Sequence, residues 1–357
     1  MSKRVLMKGN EVIAEAAIRA GCRFYFGYPI TPQTEIMHYM ALMMRKAGGT
    51  FVQAESEVAA INMVYGASAA GGRVMTSSSS PGISLKQEGM SYIAGAELPA
   101  VVVNIVRAGP GLGGILPAQG DYFQATKGGG HGDYNNVVIA PASIQELYEM
   151  TVEAFNIADK YRILVMILGD GTLGQMMEPV SYREEEPIII PEKPWTVTGR
   201  AGRTEHNTIK SIYINPDDLE AKNRELQAKY TVIKKDEVRY EGLNLEDAEI
   251  VITAYGTCSR ICRNVIRQAS EEGIRVGMIR PITLWPFPSE IISEVAKNDK
   301  TKAFLDIELN AGQMVEDVRL AVNGRKPVHF YGRMGGNLPS QKEILDQIRS
   351  INKEVSK

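Results

Sequence analysis

Pro99-Ala100-Val101-Val102-Val103-Asn104-Ile105-Val106 is the stretch on which the fold turns. It is rich in β-branched residues and almost wholly apolar. A strand apolar on both faces belongs at the centre of a parallel sheet, where helices cover both sides. Arg107 follows it directly and so falls at the sheet edge.

Working outward, strand and helix periodicities alternate. Upstream, 9–20 reads as an amphipathic helix, 23–27 as an aromatic-rich strand and 34–46 as a helix. Then come a strand at 50–53, a helix at 57–70, a strand starting at 73–76 and a helix at 84–96. Downstream, a long Gly-rich loop leads to a helix at 144–161 and a strand at 163–168. This alternation defines a doubly wound α/β domain over residues 1–180. Across 181–245 charge becomes dense, and Glu184-Glu185-Glu186-Pro187 and Pro191-Glu192-Lys193-Pro194 break regular structure. An extended linker with one polar helix near 216–230 is expected there, packed on neighbouring surfaces. Alternation resumes over 246–357, with strands at 249–255, 275–279, 302–308 and 328–332 and helices at 258–272 and 312–322. That is a second, smaller α/β domain.

Composition narrows the function. Hydrophobic residues make up 44% of the 357, enough for ordinary buried cores. Lys+Arg is 40 and Asp+Glu is 42, so the net charge of −2 gives no electrostatic footprint for nucleic acid. No apolar run approaches the roughly 20 residues needed to cross a membrane. The N-terminal residues lack the apolar core of a signal peptide, and Cys22, Cys258 and Cys262 suit a reducing compartment, so the cytoplasm is expected. Iron–sulfur clusters take four thiolates in tight groupings, which three scattered cysteines do not supply.

Open α/β sheets bind ligands at the carboxyl ends of their strands. Two loops there carry chemistry. Gly27-Tyr28-Pro29-Ile30-Thr31-Pro32 leads into one helix, and Gln53-Ala54-Glu55-Ser56-Glu57-Val58-Ala59-Ala60 places a carboxylate at the start of a small, apolar one. A carboxylate in such surroundings is costly as an anion, is expected to hold its proton near neutrality, and suits proton transfer to a bound heterocycle. Arg107 presents a planar fork that matches a carboxylate at two points; a salt bridge within the protein is the alternative. Gly109-Pro110-Gly111-Leu112-Gly113-Gly114 has no following Lys-Ser/Thr pair, so it is not a phosphate-binding P-loop. Lys127-Gly128-Gly129-Gly130-His131-Gly132 is a second flexible loop at that edge. Ser77 to Ser80 lacks the glycine frame of a hydrolase elbow, and His38 and His131 have no partners at metal-ligand spacing.

Taken together, Tyr28-Pro29-Ile30-Thr31-Pro32, Glu55-Ser56-Glu57, residues 76–82, Gln87-Glu88-Gly89 and Arg107-Ala108-Gly109-Pro110 resemble the alpha subunit of 2-oxoacid:ferredoxin oxidoreductases. Arg280-Pro281-Ile282-Thr283-Leu284-Trp285-Pro286-Phe287-Pro288 and Glu308-Leu309-Asn310-Ala311-Gly312-Gln313-Met314 agree, and the branched-chain, 2-oxoisovalerate type is the nearest in look. The resemblance implies two doubly wound parallel-sheet domains, a pyrimidine-type thiamine diphosphate-binding fold followed by a transketolase C-terminal-like domain. It implies oxidative decarboxylation of a 2-oxoacid with coenzyme A to acyl-CoA and CO₂, reducing ferredoxin. It implies a shared cofactor: a beta subunit holds the diphosphate and Mg²⁺, and a gamma subunit and a ferredoxin-like delta subunit with 4Fe–4S clusters complete a dimer of heteromers.

The same resemblance assigns residues. Glu57 would hydrogen-bond N1′ of the aminopyrimidine and promote the tautomer that deprotonates the thiazolium, with Glu55 its nearby competitor. Thr31, in the Tyr28-Pro29-Ile30-Thr31 run, and Arg107 would bind the substrate, and Ser79 and Ser80 would face the cofactor ring. Enzymes of this cofactor class hold Mg²⁺ with a Gly-Asp-Gly and a later Asn. Here Gly169-Asp170-Gly171 has no Asn in the window 195–200, and reads as a tight turn. A 2-oxoglutarate-type subunit, a transketolase-type enzyme and a non-catalytic scaffold remain as alternatives.

Overall fold

The computed structural model describes residues 4–182, 188–200 and 202–356. The expected break at Glu184-Glu185-Glu186-Pro187 lies outside the described residues. The chain begins with β1 (Arg4–Lys8), α1 (Gly9–Arg19), β2 (Phe24–Gly27), α2 (Thr34–Met43), β3 (Thr50–Gln53) and α3 (Glu57–Ala69). Next are β4 (Val74–Ser78), α4 (Pro81–Gly95), β5 (Ala100–Val106), α5 (Tyr122–Thr126), β6 (Val137–Ile139) and α6 (Ile144–Tyr161). β7 (Leu164–Asp170), α7 (Gly171–Gln175), β8 (Met177–Ser181), α8 (Pro216–Asp236) and β9 (Tyr240–Leu243) follow. The remainder is β10 (Ile250–Thr253), α9 (Gly256–Glu271), β11 (Val276–Pro281), β12 (Thr283–Trp285), α10 (Ser289–Lys297), β13 (Ala303–Glu308), α11 (Met314–Val322), β14 (Val328–Gly332) and α12 (Gln341–Val355).

The larger sheet has the order β12-β6-β7-β5-β4-β2-β3. β5 is at its centre, buried along its whole length and paired in parallel with β4 and β7. Its apolar character thus follows from helices on both faces. The sheet therefore ends at Gly27, Gln53, Ser78, Val106 and Asp170 along one edge, and every loop leaving that edge can contribute to one site. The smaller sheet has the order β14-β13-β10-β11-β9, parallel except for its edge strand β9. β1 and β8 form a separate antiparallel pair.

Two elements cross between the halves. β12 leaves the smaller domain and adds an antiparallel edge to the larger sheet beside β6. β9, from the stretch read as linker, closes one edge of the smaller sheet. Other described residues of that stretch pack on the first domain: Val197 N donates to Ala69 O at 3.0 Å, and Lys193 pairs with Asp159 at 2.6 Å. The Gly-rich loop after β5 is less irregular than its composition suggests, since it encloses α5 and β6. α4 starts at Pro81 rather than at 84, because proline is well placed in a first helical turn, where its missing N–H has no partner to lose. No helix among the described residues is long and apolar enough to cross a membrane.

Candidate active site at the carboxyl edge of the larger sheet

Ser56 caps α3, accepting from Ala59 N at 3.2 Å, so the helix begins at Glu57. Glu57 is 6% exposed, whereas Glu55 lies in solvent. Glu57 points at the start of α4. A Cβ on Gly82 would stand 2.7 Å from Glu57 Oε1 and 2.0 Å from Ser78 Oγ, so only glycine admits both there. Among the described residues no donor lies within hydrogen-bond distance of the Glu57 carboxylate. Nearby, the buried hydroxyls of Thr76, Ser78 and Ser79 also lack partners.

Lys86, which the sequence reading passes over, reaches the main chain of this residue. It is fully buried, and its Nζ donates to the Glu57 carbonyl at 3.4 Å. Burial lowers its ammonium to about 8, and the Glu57 charge opposes that shift. The signal was present: Ile83, Lys86, Met90 and Ile93 share the inward stripe of α4, an unusual place for a lysine.

Arg107 is 7% exposed and has no carboxylate partner among the described residues, so the internal salt bridge is not formed. Its Nη1 donates to Thr31 O at 2.9 Å and its Nη2 to Leu112 O at 3.1 Å, while Nε is buried without a partner. The Arg107 main chain is clasped by Ser80 Oγ, which accepts from Arg107 N at 3.0 Å and lies 3.2 Å from Arg107 O. Ser80 has φ +28°, a left-handed value that strains a non-glycine residue. Asn104 steadies it: its Oδ1 accepts from Ser80 N at 3.1 Å, and its Nδ2 donates to Asp121 at 2.8 Å. Burial pushes the Asp121 carboxyl above its ordinary value, against the bonds from Asn104 and Ser80. Asn104 and Asp121 were also missed; a lone Asn inside the apolar β5 was the available clue.

The structure thus joins Thr31, Arg107 and Ser80 by hydrogen bonds, and sets Glu57 beside Ser78 and Gly82 at the next strand end. Tyr28 joins only through its carbonyl, which accepts from Gln33 Nε2 at 3.4 Å. Pro29 is exposed and Ile30 half-buried in the strap between β2 and Thr31. That strap is pinned by Asn10 and Gln175, which both donate to Pro32 O, at 2.7 and 3.0 Å. A cleft of ≈ 410 Å³ opens beside Ser80, Ala108, Gly109 and Asp121. Larger clefts of ≈ 690 and ≈ 720 Å³ lie beside the smaller sheet and the Trp285 turn, away from Glu57 and Arg107.

Asp170, of the Gly-Asp-Gly turn, caps α7: its Oδ1 accepts from Thr172 N at 2.8 Å and Leu173 N at 3.3 Å. Among the described residues no group of three or more His, Cys, Asp or Glu side chains could hold a metal. All three cysteines are buried. Burial raises the thiols of Cys258 and Cys262, and pushes Cys22 up to about 12, so each stands as a thiol rather than a thiolate ligand. What the edge offers is a buried carboxylate with no donor among the described residues, buried hydroxyls without partners, and a glycine whose missing Cβ lets α4 come up against both. Such a set fits a ring nitrogen of a flat heterocycle, a group that thiamine diphosphate carries.

Comparison with known proteins agrees with this class. Residues 15–241 match the family model for pyruvate flavodoxin/ferredoxin oxidoreductase, thiamine diphosphate-binding, and 248–344 match pyruvate:ferredoxin oxidoreductase core domain II. The chain belongs to the 2-oxoacid:ferredoxin oxidoreductases, as a subunit of a thiamine diphosphate-dependent enzyme. It is 53% identical to the ketoisovalerate oxidoreductase subunit VorB of Methanothermobacter thermautotrophicus, over 97% of each chain. It is 37% identical to the 2-oxoglutarate synthase subunit KorA of Methanocaldococcus jannaschii, covering 95% of this chain and 97% of that one. Among solved structures, a 2-oxoglutarate:ferredoxin oxidoreductase from Magnetococcus marinus superposes with a TM-score of 0.88 at 27% identity. The match covers 98% of this chain and 65% of that longer one. A split-gene transketolase, 13% identical with a TM-score of 0.58 over 96% of this chain and 97% of its own, shares the fold alone.

Proposed function

We propose that this chain is the pyrimidine-binding alpha subunit of an oxidoreductase that converts a branched-chain 2-oxoacid and coenzyme A to acyl-CoA and CO₂, passing the electrons to ferredoxin. The observation that carries the reading is the Glu57 carboxylate, buried at the sheet edge with no donor from its own chain. Thiamine diphosphate, when bound, supplies the nucleophilic carbon that a 2-oxoacid needs in order to lose CO₂. Glu57 would exchange a proton with N1′ of the pyrimidine, and Ser79 and Ser80 would face its ring. Arg107 keeps Nε–H and the remaining Nη–H bonds for the substrate carboxylate, with its guanidinium already oriented by Thr31 O and Leu112 O. Tyr28, Pro29, Ile30 and Thr31 form the wall over that carboxylate.

Partner subunits complete the enzyme in this reading. A beta subunit would bring the diphosphate and Mg²⁺ half of the site, a ferredoxin-like delta subunit the 4Fe–4S clusters, and a gamma subunit would complete the assembly. The assembly would work in the cytoplasm as a dimer of heteromers. The higher identity to a ketoisovalerate subunit than to 2-oxoglutarate subunits supports the branched-chain preference.

The test is anaerobic purification of the native complex and an assay of 2-oxoacids with coenzyme A and an artificial electron acceptor. A brown complex that turns over 2-oxoisovalerate fastest is expected. Faster turnover of 2-oxoglutarate would move the chain to the dicarboxylic type, and a colourless complex that turns over sugars would support the transketolase alternative.

A further inference from the structure

We infer that Lys86 is a positioning residue for Glu57: wedged in the seam between α3 and α4, its ammonium holds the Glu57 main chain and brings a positive charge to the helix start that carries the carboxylate. The inference rests on the reading of Glu57 as the carboxylate that meets the pyrimidine. Its geometry is independent of that reading.

The seam is built from small residues. Gly82, Lys86 and Gly89 fall on one face of α4, and Glu57 and Ile61 fall on one face of α3. A Cβ on Gly89 would stand 2.5 Å from Ile61 Cγ2, and one on Gly82 would stand 2.7 Å from Glu57 Oε1. Two glycines thus let the helices approach closely at both ends of the seam. Between those glycines stands the one lysine of α4, 0% exposed. An ammonium has three donors, and among the described residues Lys86 finds one acceptor, the carbonyl of Glu57 itself. A buried cation with so little solvation is held in place by charge, and Glu57 is the charged group acting on it.

The other titratable groups around α4 are engaged elsewhere. Glu88 is exposed and accepts from Tyr92. His131, in the glycine loop, bonds to Ser91, and Lys127 pairs with Asp317. Asp170, at the end of β7, caps α7. The couple is therefore Lys86 with Glu57. A cation fixed to the Glu57 main chain interacts with whatever charge that residue's carboxylate carries, so replacing it changes the carboxylate's surroundings.

The first readout needs no turnover. Carbon-13 NMR of labelled lysine side chains in the full-length chain is followed against pH, with the Lys86 signal assigned by its loss in Lys86→Met. A midpoint near 8 is expected, falling further in Glu57→Gln because the opposing charge is gone. A midpoint that Glu57→Gln leaves unchanged would overturn the inference. The second readout uses the assembled complex. In Lys86→Met the acid limb of kcat against pH should move up, because a nearby positive charge is lost. Lys86→Arg, which keeps the charge, should return the limb toward its original place, and Lys86→Gln provides a second neutral variant. An unmoved limb with a lowered melting temperature would make Lys86 structural only. Should Glu57→Gln retain full turnover, the proposed function fails, and the titration still decides whether the two charges are coupled.

Discussion

At the scale of single residues, Arg107 shows how a side chain can be fixed and still be available. Two of its five N–H donors go to the carbonyls of Thr31 and Leu112, and its Nε has no partner. Arg107→Lys keeps the charge and loses the fork, which is not a conservative change at a two-point site. The loss of a charge-assisted hydrogen bond is worth about 1.5–3 kcal/mol, or roughly tenfold to a hundredfold in kcat/KM for the 2-oxoacid. The KM should carry that loss while the melting temperature barely moves; a large drop in melting temperature with unchanged kinetics would return Arg107 to a structural role. The two carboxylates of the second loop separate in the same way. Glu55 is solvated and Glu57 buried, so Glu57→Gln should lower kcat by on the order of a hundredfold, with assembly intact. Glu55→Gln should be mild, and the reverse order would reassign the catalytic carboxylate. Lys86 gives a prediction in stability. Its ammonium falls from 10.5 to about 8 on folding, so the native chain releases this proton before the unfolded chain does. Between those values the unfolded state binds more protons, and stability rises with pH. The cost is full below about 8 and gone above 10.5, and amounts to on the order of 3 kcal/mol. Lys86→Met should therefore be more stable than the parent chain near pH 7. Urea titrations repeated up to pH 10 should show that advantage shrinking, and a constant gap would remove the burial argument.

At the scale of elements, the site is a matter of how closely α3 approaches α4. Gly89→Ala sets a methyl 2.5 Å from Ile61 Cγ2, and Ile61 is β-branched and cannot swing far aside. The helices must separate, at about 1–3 kcal/mol of overpacking strain. Because Glu57 rides on α3, turnover should fall by more than stability alone explains, and Ile61→Val in the same chain should recover part of both. Equal activity in Gly89→Ala would mean that the spacing of the seam does not matter to the chemistry. The sequence made much of this level readable. β5 announces itself as the central strand through its unbroken apolar run, and the boundary at Glu57 follows from Ser56 as a cap. α12 was readable too, from Ser340 with Glu343 as a capping box and the stripe Ile344, Ile348, Ile351, yet the reading stops at the last strand. The position of Lys86 was harder. Its meaning depends on Gly82 and Gly89 facing α3, and no period within α4 reveals which neighbour a helix face will meet.

At the scale of the whole molecule, the least legible features are those that tie distant segments together. β12 is three residues long and joins a sheet formed almost wholly by the other half of the chain. Such short, non-local pairings leave no periodicity to read. Polar contacts do the rest of the joining. Arg280 of β11 reaches Glu146 of α6 through both Nη atoms, each at 2.8 Å. Gln119 bonds to Tyr255 and, in both directions, to Leu309. The smaller domain is thus fastened beneath the loop that carries Arg107. In the proposed function this frame would supply only the pyrimidine half of a cofactor site. Asp170, the acid of its Gly-Asp-Gly turn, has its Oδ1 bound to the first N–H groups of α7. Contacts at the pyrimidine end amount to one or two hydrogen bonds to a charged group, about 1.5–3 kcal/mol each. Association costs at least about 4 kcal/mol of lost freedom, so such contacts leave little net affinity. Calorimetry of the isolated chain with thiamine diphosphate and Mg²⁺ should therefore show no tight binding, and adding the beta subunit should create it. A micromolar or better dissociation constant for the chain alone would mean that it holds the diphosphate itself, and the divided site would have to be abandoned.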